Sequence, residues 1–143
     1  MKTKKLYLIG SLRNDNIPAI ANRFRELGFD VFDDWYSPGA HADEEWKRYE
    51  KKRGRIYIEA IKGYHAKHIF NFDYQHLNES DICVLILPAG KSGHLEFGYM
   101  RGLKRKCYIL LEPDSDRWDI MYVFADGIFT TIDELEEELK KDL

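Results

Sequence analysis

The chain has 143 residues, of which 44% are hydrophobic and 33% charged, and its formal net charge is −3. These values predict one globular domain over residues 1–143, and they argue against nucleic acid or an anionic membrane as a partner. Cys83 and Cys107 fall inside predicted strands, where we expect buried thiols in a reducing compartment. No segment has the pattern of a signal peptide or a membrane span, so we expect a cytoplasmic protein.

The first part of the chain has the pattern of a strand, a helix and a second strand. Residues 6–9 are an apolar run that ends at Gly10. A helix with apolar residues at helical spacing is expected from Ile17 until Gly28 ends it. Residues 29–32 form the next strand. This succession predicts a right-handed parallel pair of strands.

The loop after the second strand carries Asp34, Trp35 and Tyr36. Asp43 is then expected to cap a long helix that runs to about residue 66. Its cations are interpreted as a solvated helix face, and phosphate binding by one of them is the alternative. The predicted apolar stripe of this helix consists of Trp46, Tyr49, Ile56, Tyr57, Ala60, Ile61 and Tyr64.

The stretch over residues 82–100 organises the rest of the chain. An irregular stretch at 69–71 and a short helix over 73–80 are expected before it. Its continuous apolar run predicts a strand buried on both faces. A helix is expected to begin near Gly93 or His94, which would place Glu96 in the first turn. The helix dipole and the free N–H groups there favour an ionised carboxylate, as a nucleophile requires.

The sheet is completed by a fourth strand over 107–111 and an edge strand over 127–130, with a short helix at 118–125 between them. Thr131 and Glu134 form a capping-box pattern for a last helix. Strands alternating with helices predict an α/β fold with a single doubly wound, flavodoxin- or Rossmann-like, five-stranded parallel sheet of order 2-1-3-4-5. Ligands bind such sheets at the switch between strands one and three.

Two groups of residues flank that switch. Gly10, Ser11 and Arg13 combine a turn, a hydroxyl and a cation, which indicates an anion or sugar site, with a plain helix cap as the alternative. Asp73 and Glu96 are the candidate carboxylate pair, one as nucleophile and the other handling a proton or a sugar hydroxyl. A helix cap is the alternative for Asp73.

Taken together, these segments resemble the nucleoside 2-deoxyribosyltransferases and the related 2'-deoxynucleoside 5'-phosphate N-hydrolases. The resemblance covers nearly the whole chain. The segments that carry it are Gly10-Ser11-Leu12-Arg13-Asn14 after the first strand, Phe72-Asp73 followed by Ser80-Asp81, and His94-Leu95-Glu96-Phe97-Gly98-Tyr99. The long segment over 43–66 and the Lys91-Ser92 turn depart from the pattern.

The resemblance implies a double displacement at the N-glycosidic bond of a 2'-deoxynucleoside. Glu96 would form a covalent glycosyl intermediate, Asp73 would assist proton transfer or orient the sugar, and the deoxyribosyl group would pass to another nucleobase. One alternative is a nucleoside 5'-monophosphate N-glycosidase that transfers to water. Another is a non-catalytic nucleotide-binding module on the same fold. No metal and no organic cofactor is expected.

The resemblance also implies a substrate pocket that a neighbouring subunit completes, and hence a homodimer or higher assembly. Residues 119–122 are the candidate segment that reaches across. Trp35 and Tyr36 would stack near the base, and Arg13, Ser11, Lys91 and Ser92 could hold a 5'-phosphate. The candidate substrate-binding residues are Gly10, Ser11, Arg13, Asp34, Trp35, Tyr36, Ser92, Gly93 and Tyr122.

Overall fold

The structure is a computed structural model that describes residues 2–143. Its sheet has five parallel strands in the order β2-β1-β3-β4-β5, which confirms the predicted doubly wound architecture. The strands are β1 (Lys5–Ile9), β2 (Asp30–Phe32), β3 (Ile82–Ile86), β4 (Lys106–Leu110) and β5 (Gly127–Phe129). The switch in strand order lies between β1 and β3, which pair side by side.

Helices cover both faces of this sheet. Helices α1 and α6 pack on one face, whereas α4 and α5 pack on the other. Within residues 2–143 the helices are α1 (Ile17–Leu27), α2 (Ala42–Lys52), α3 (Tyr57–Ala60), α4 (Tyr64–Glu79), α5 (Lys91–Gly102) and α6 (Ile132–Lys140). None of the helices described is both long and apolar enough to cross a membrane.

The two central strands send alternate side chains to the two core layers. Leu6 and Leu8 of β1 face α1 and α6, whereas Tyr7 and Ile9 face α4 and α5. All residues of β3 are buried, as the apolar run predicted. The alternation aims the hydroxyl of Tyr7 towards the face that carries α5, where the candidate site is built.

The long helix predicted over residues 43–66 is wrong. The chain breaks after α2 at Gly54, which has a left-handed backbone with φ of 76°. The buried carboxylate of Glu50 organises the break, since it accepts hydrogen bonds from Arg53 at 3.3 Å and Arg55 at 3.2 Å. Two cations that the sequence indicated as part of a solvated face therefore fold the chain around an internal acid.

The apolar stripe predicted for that helix does not face the core. Ala60 is buried, but Tyr64 is 92% exposed. Helical spacing cannot distinguish a stripe that covers a core from one that faces outward. The other exposed members are Tyr49, Ile56, Tyr57 and Ile61.

Other element boundaries also differ from the predictions. Residues 69–71 are helical, because α4 contains no glycine or proline that would interrupt it. Helix α5 begins at Lys91, two or three residues earlier than expected, so Glu96 lies in its second turn. A 3₁₀ helix over Ile120–Phe124 takes the place of the predicted short helix. Thr131 caps α6 as predicted, by accepting a hydrogen bond from the backbone of its third residue.

Two glycines stand where the chain packs closely around the end of β1. A Cβ atom at Gly10 would lie 2.6 Å from Cδ1 of Ile17 at the start of α1. A Cβ atom at Gly93 would lie 3.0 Å from Cγ2 of Ile9. The turn after β1 and the start of α5 therefore meet at the switch in strand order.

Candidate active site

A hydrogen bond joins Glu96 of α5 to Tyr7 of β1. The Tyr7 hydroxyl donates to Oε2 of Glu96 at 2.7 Å. Tyr7 is fully buried, whereas Glu96 keeps part of its surface accessible. The bond fixes one carboxylate oxygen, and the carboxylate retains Oε1 for a ligand.

Asp73 of α4 adds a second carboxylate, and its charge acts on both Glu96 and Tyr7. We call these three residues the Tyr7–Glu96–Asp73 cluster. Burial raises the pKa of Asp73 to about 6. Burial also raises the pKa of Glu96 to about 7; the Tyr7 hydrogen bond opposes this rise and the charge of Asp73 adds to it. Both carboxyl groups therefore titrate close to neutral pH.

Such a cluster suits both nucleophilic and acid–base chemistry. Carboxyl groups that titrate near neutral pH can each exist in either form there, so one can attack while the other gives or takes a proton. Burial, and then the charge of Glu96, raise the pKa of Tyr7 far above its ordinary value. Its hydroxyl therefore stays protonated and remains a hydrogen-bond donor.

The expectation that the helix terminus holds Glu96 ionised is wrong. Its position in the second turn of α5 removes it from the free N–H groups of the first turn. Burial is the larger effect and raises the pKa instead. Glu96 is thus a carboxyl group that changes charge near pH 7.

Tyr7 is the member of the cluster that the sequence analysis missed. It stands in an apolar strand, where a tyrosine is first interpreted as a core residue. The signal that could have revealed it is its hydroxyl, because a tyrosine in the middle of a strand buried on both faces needs a hydrogen-bond partner.

The predicted anion-binding residues lie on the two turns at the switch. Ser11 accepts a hydrogen bond from the backbone N–H of Arg13 at 3.1 Å, and the guanidinium of Arg13 forms an ion pair with Glu44 of α2. Ser92 and Gly93 occupy the first turn of α5, whose N–H groups point out of the helix. Gly93 lets the first turn of α5 lie against the end of β1, and phosphate binding there stays a prediction.

The aromatic residues after β2 pack against the sheet. The indole N–H of Trp35 donates to the carbonyl of Leu8 at 2.7 Å, and its ring meets that of Tyr36 edge to face with centroids 5.9 Å apart. Trp35 packs against both core layers, so its position has a structural cause. Asp34 lines a small cavity with Phe72. The predicted stacking of this loop on a base stays a prediction.

Tyr122 lies away from Glu96 within its own chain. Its hydroxyl is 2.9 Å from Nε2 of His94, and it lines a cleft at the carboxyl ends of β3, β4 and β5 that neither Glu96 nor Asp73 lines. A role for Tyr122 in a neighbouring subunit stays a prediction. Among residues 2–143, no group of three His, Cys, Asp or Glu side chains could hold a metal ion.

Comparison with known proteins gives matches among solved structures only. No family model matches the chain, and no curated protein sequence does. One solved structure that matches is the CMP N-glycosidase BcmB of Clostridium botulinum, with a TM-score of 0.56 and 16% sequence identity over 98% of this chain and 100% of that chain. The resemblance inferred from the sequence is therefore confirmed at the level of the fold. The chain has a nucleoside 2-deoxyribosyltransferase-like fold, which it shares along nearly its whole length with this N-glycosidase.

Proposed function

We propose that this protein cleaves the N-glycosidic bond of a nucleoside 5'-monophosphate and transfers the glycosyl group to water. The observation that carries the proposal is the Tyr7–Glu96–Asp73 cluster, at the sheet edge where folds of this kind bind ligands. The fold shared with a CMP N-glycosidase supports the choice of bond.

The reaction has two steps in this proposal. Oε1 of Glu96 attacks C1' of the sugar as the bond between C1' and the base nitrogen breaks, and the leaving base takes a proton from water while the ionised Asp73 is poised as the base of the second step. A water molecule then gives a proton to the Asp73 carboxylate and attacks C1', which breaks the ester bond to Glu96. Tyr7 keeps Oε2 of Glu96 in place through both steps.

Cations near the switch support a phosphate on the substrate. Arg13 is 72% exposed at its side chain and pairs with Glu44 at the surface, where an ion pair contributes only about 0–1 kcal/mol. A substrate phosphate can replace Glu44, because phosphate accepts two parallel hydrogen bonds from a guanidinium. The first turn of α5, with Lys91 and Ser92, offers N–H groups to the same anion.

Transfer of a deoxyribosyl group to a second nucleobase is the other candidate reaction. The burial of the Glu96 carboxyl group favours it, because limited access of water would prolong the glycosyl intermediate. An excess of a second base then decides between the two reactions, since a transferase forms a new nucleoside and a hydrolase does not.

A second copy of this chain is proposed to complete the pocket. Large apolar side chains of α3 and α4 are exposed, and so are those of the 3₁₀ helix Ile120–Phe124. Large apolar side chains left exposed on these elements are candidates for burial at an interface. The segment over residues 119–122 would then reach the partner's Glu96 site. Sedimentation tests this directly, because a monomer at micromolar concentration contradicts it.

The experiment that tests the proposed function measures release of free base from ribo- and 2'-deoxyribonucleosides and from their 5'-monophosphates. Wild-type protein should release base from at least one monophosphate, and Glu96→Gln should lower that rate by a factor of about 10²–10⁴. Glu137→Gln, an exposed position on α6, is the matched control and should keep the full rate. Base release that survives Glu96→Gln, or its absence with every substrate, would contradict the proposal.

A further inference from the structure

The 3₁₀ helix Ile120–Phe124 is held to its own chain through one side chain. Of its five residues, Tyr122 is the only one that is not exposed. Ile120 and Val123 leave 85% and 79% of their surfaces accessible, whereas Tyr122 packs against the core layer on the α5 face of the sheet. The position of this segment therefore depends on what holds Tyr122.

His94 of α5 is the side chain that holds Tyr122. The two rings are nearly parallel, with centroids 5.8 Å apart and an interplanar angle of 17°. The carbonyl of Gly90 lies 2.8 Å from Nδ1 of His94 and can only accept, so Nδ1 donates to it. Nε2 of the neutral ring then accepts from the Tyr122 hydroxyl at 2.9 Å. The turn that begins α5 thus orients His94, and His94 orients Tyr122.

His94 and Glu96 lie on opposite sides of α5. Residues two positions apart on a helix point about 200° away from each other. Glu96 contacts Tyr7 of β1, whereas His94 lines the cleft at the carboxyl ends of β3, β4 and β5 together with Tyr122. Within one chain, the tether of Tyr122 and the proposed nucleophile therefore serve two different surfaces.

We propose that His94 is a positioning residue for the active site of the neighbouring subunit. The inference rests on the proposed function and on the second copy, whose Glu96 pocket the segment over residues 119–122 is proposed to complete. By holding Tyr122, His94 keeps this segment in the place where it meets the substrate of the other subunit. Each pocket then depends on α5 of both subunits, because one α5 supplies Glu96 and the other supplies the tether.

Two replacements of His94 separate its two hydrogen bonds. Asparagine can still donate to the carbonyl of Gly90 but is too short to meet the Tyr122 hydroxyl, whereas glutamine is long enough to accept from it. His94→Asn should lower kcat/KM for base release by about tenfold, since the segment loses its place. His94→Gln should recover most of that loss. Adding Tyr122→Phe to His94→Asn should cost nothing more, because the bond between the two side chains is already absent.

The decisive test is a mixed dimer of a His94→Asn subunit and a Glu96→Gln subunit, co-expressed with different affinity tags and purified through both. The first subunit supplies Glu96 and the second supplies His94, so one of the two pockets is complete. We expect about half the wild-type rate of base release. If His94 served its own subunit, the rate would be only about one twentieth, given the tenfold loss. A mixed dimer of wild-type and Glu96→Gln subunits is the matched control and should also reach about one half.

A mixed dimer that stays near one twentieth of the wild-type rate would overturn the inference, as would full activity of His94→Asn alone or failure of the two subunits to co-purify. His94→Phe keeps a ring beside Tyr122 and removes both hydrogen bonds, so it repeats the test if the asparagine variant does not fold. Wild-type protein that releases no base would reject the proposed function and this inference with it. Active wild-type protein with a mixed dimer that is not rescued would reject this inference alone.

Discussion

Replacement of Tyr7 by phenylalanine isolates the hydrogen bond at the centre of the proposed site. The change removes one oxygen atom from a fully buried side chain and leaves the ring in the core. The lost bond is the 2.7 Å contact from the Tyr7 hydroxyl to Oε2 of Glu96. That bond stabilises the ionised form of Glu96, so its loss raises the pKa of Glu96 above its value of about 7.

The size of the rise follows from the strength of the bond. A hydrogen bond to a charged group contributes about 1.5–3 kcal/mol, and one pKa unit corresponds to about 1.4 kcal/mol. Tyr7→Phe should therefore raise the pKa of Glu96 by about one to two units. At about pH 7 the ionised fraction of Glu96 falls from about one half to between about one tenth and one hundredth.

The assay is the pH dependence of kcat/KM for base release. The wild-type profile should rise with pH through about 7, because Glu96 must lose its proton before it can attack. The Tyr7→Phe profile should rise about one to two pH units later, and its plateau should approach that of the wild type. Tyr108→Phe is the matched control, since Tyr108 is also a buried residue and its hydroxyl donates to Asp142 at 2.6 Å on the other face of the sheet. An acid limb that stays in place in folded Tyr7→Phe protein, or moves equally in Tyr108→Phe, would refute the reasoning.

Three further changes test other parts of the account. Glu96→Gln should stabilise the fold at about pH 8 by at most about 3 kcal/mol and have no effect at about pH 4. The pKa of Glu96 is raised from 4.5 to about 7 in the folded protein, so the wild-type fold becomes less stable as pH rises through that interval. Thermal unfolding of both proteins at the two pH values measures the difference. Gly93→Ala should cost about 1–3 kcal/mol in chemical unfolding and lower activity, because its Cβ would lie 3.0 Å from Ile9, whereas Gly98→Ala on the same helix meets open space and should not destabilise. Arg13→Gln should raise KM about tenfold for a 5'-monophosphate and leave KM for the nucleoside unchanged in steady-state kinetics.

The sheet could be predicted from the sequence because its signals are local and agree with one another. The apolar run of β3 is buried throughout, and Gly28 ends α1 with φ of 116°. The segment over residues 43–66 could not be predicted, because its conformation depends on contacts that the spacing of apolar residues does not encode. The ion pairs of Glu50 with two arginines that follow α2, and the left-handed Gly54, break a pattern that otherwise favours one helix.

The two carboxylates of the candidate site could be predicted, but their protonation could not. The position of Glu96 after a buried strand indicated that its carboxylate is the nucleophile. Its pKa depends on how deeply α5 and α4 bury it, and that burial outweighs the helix terminus. Tyr7 was missed for a related reason, since its role is visible only when Glu96 is placed over β1. The stacked pair of His94 and Tyr122 likewise joins residues that are far apart in sequence.

Peptide mass spectrometry after rapid acid quench tests the central claim most directly. The protein would be incubated with a 2'-deoxy-2'-fluoro nucleoside 5'-monophosphate, whose fluorine slows loss of the sugar from a glycosyl ester. We expect the peptide that contains Glu96 to gain the mass of the fluorinated sugar with its 5'-phosphate, and we expect no such adduct in Glu96→Gln. Base release without any adduct on Glu96, or an adduct on another residue, would contradict the account.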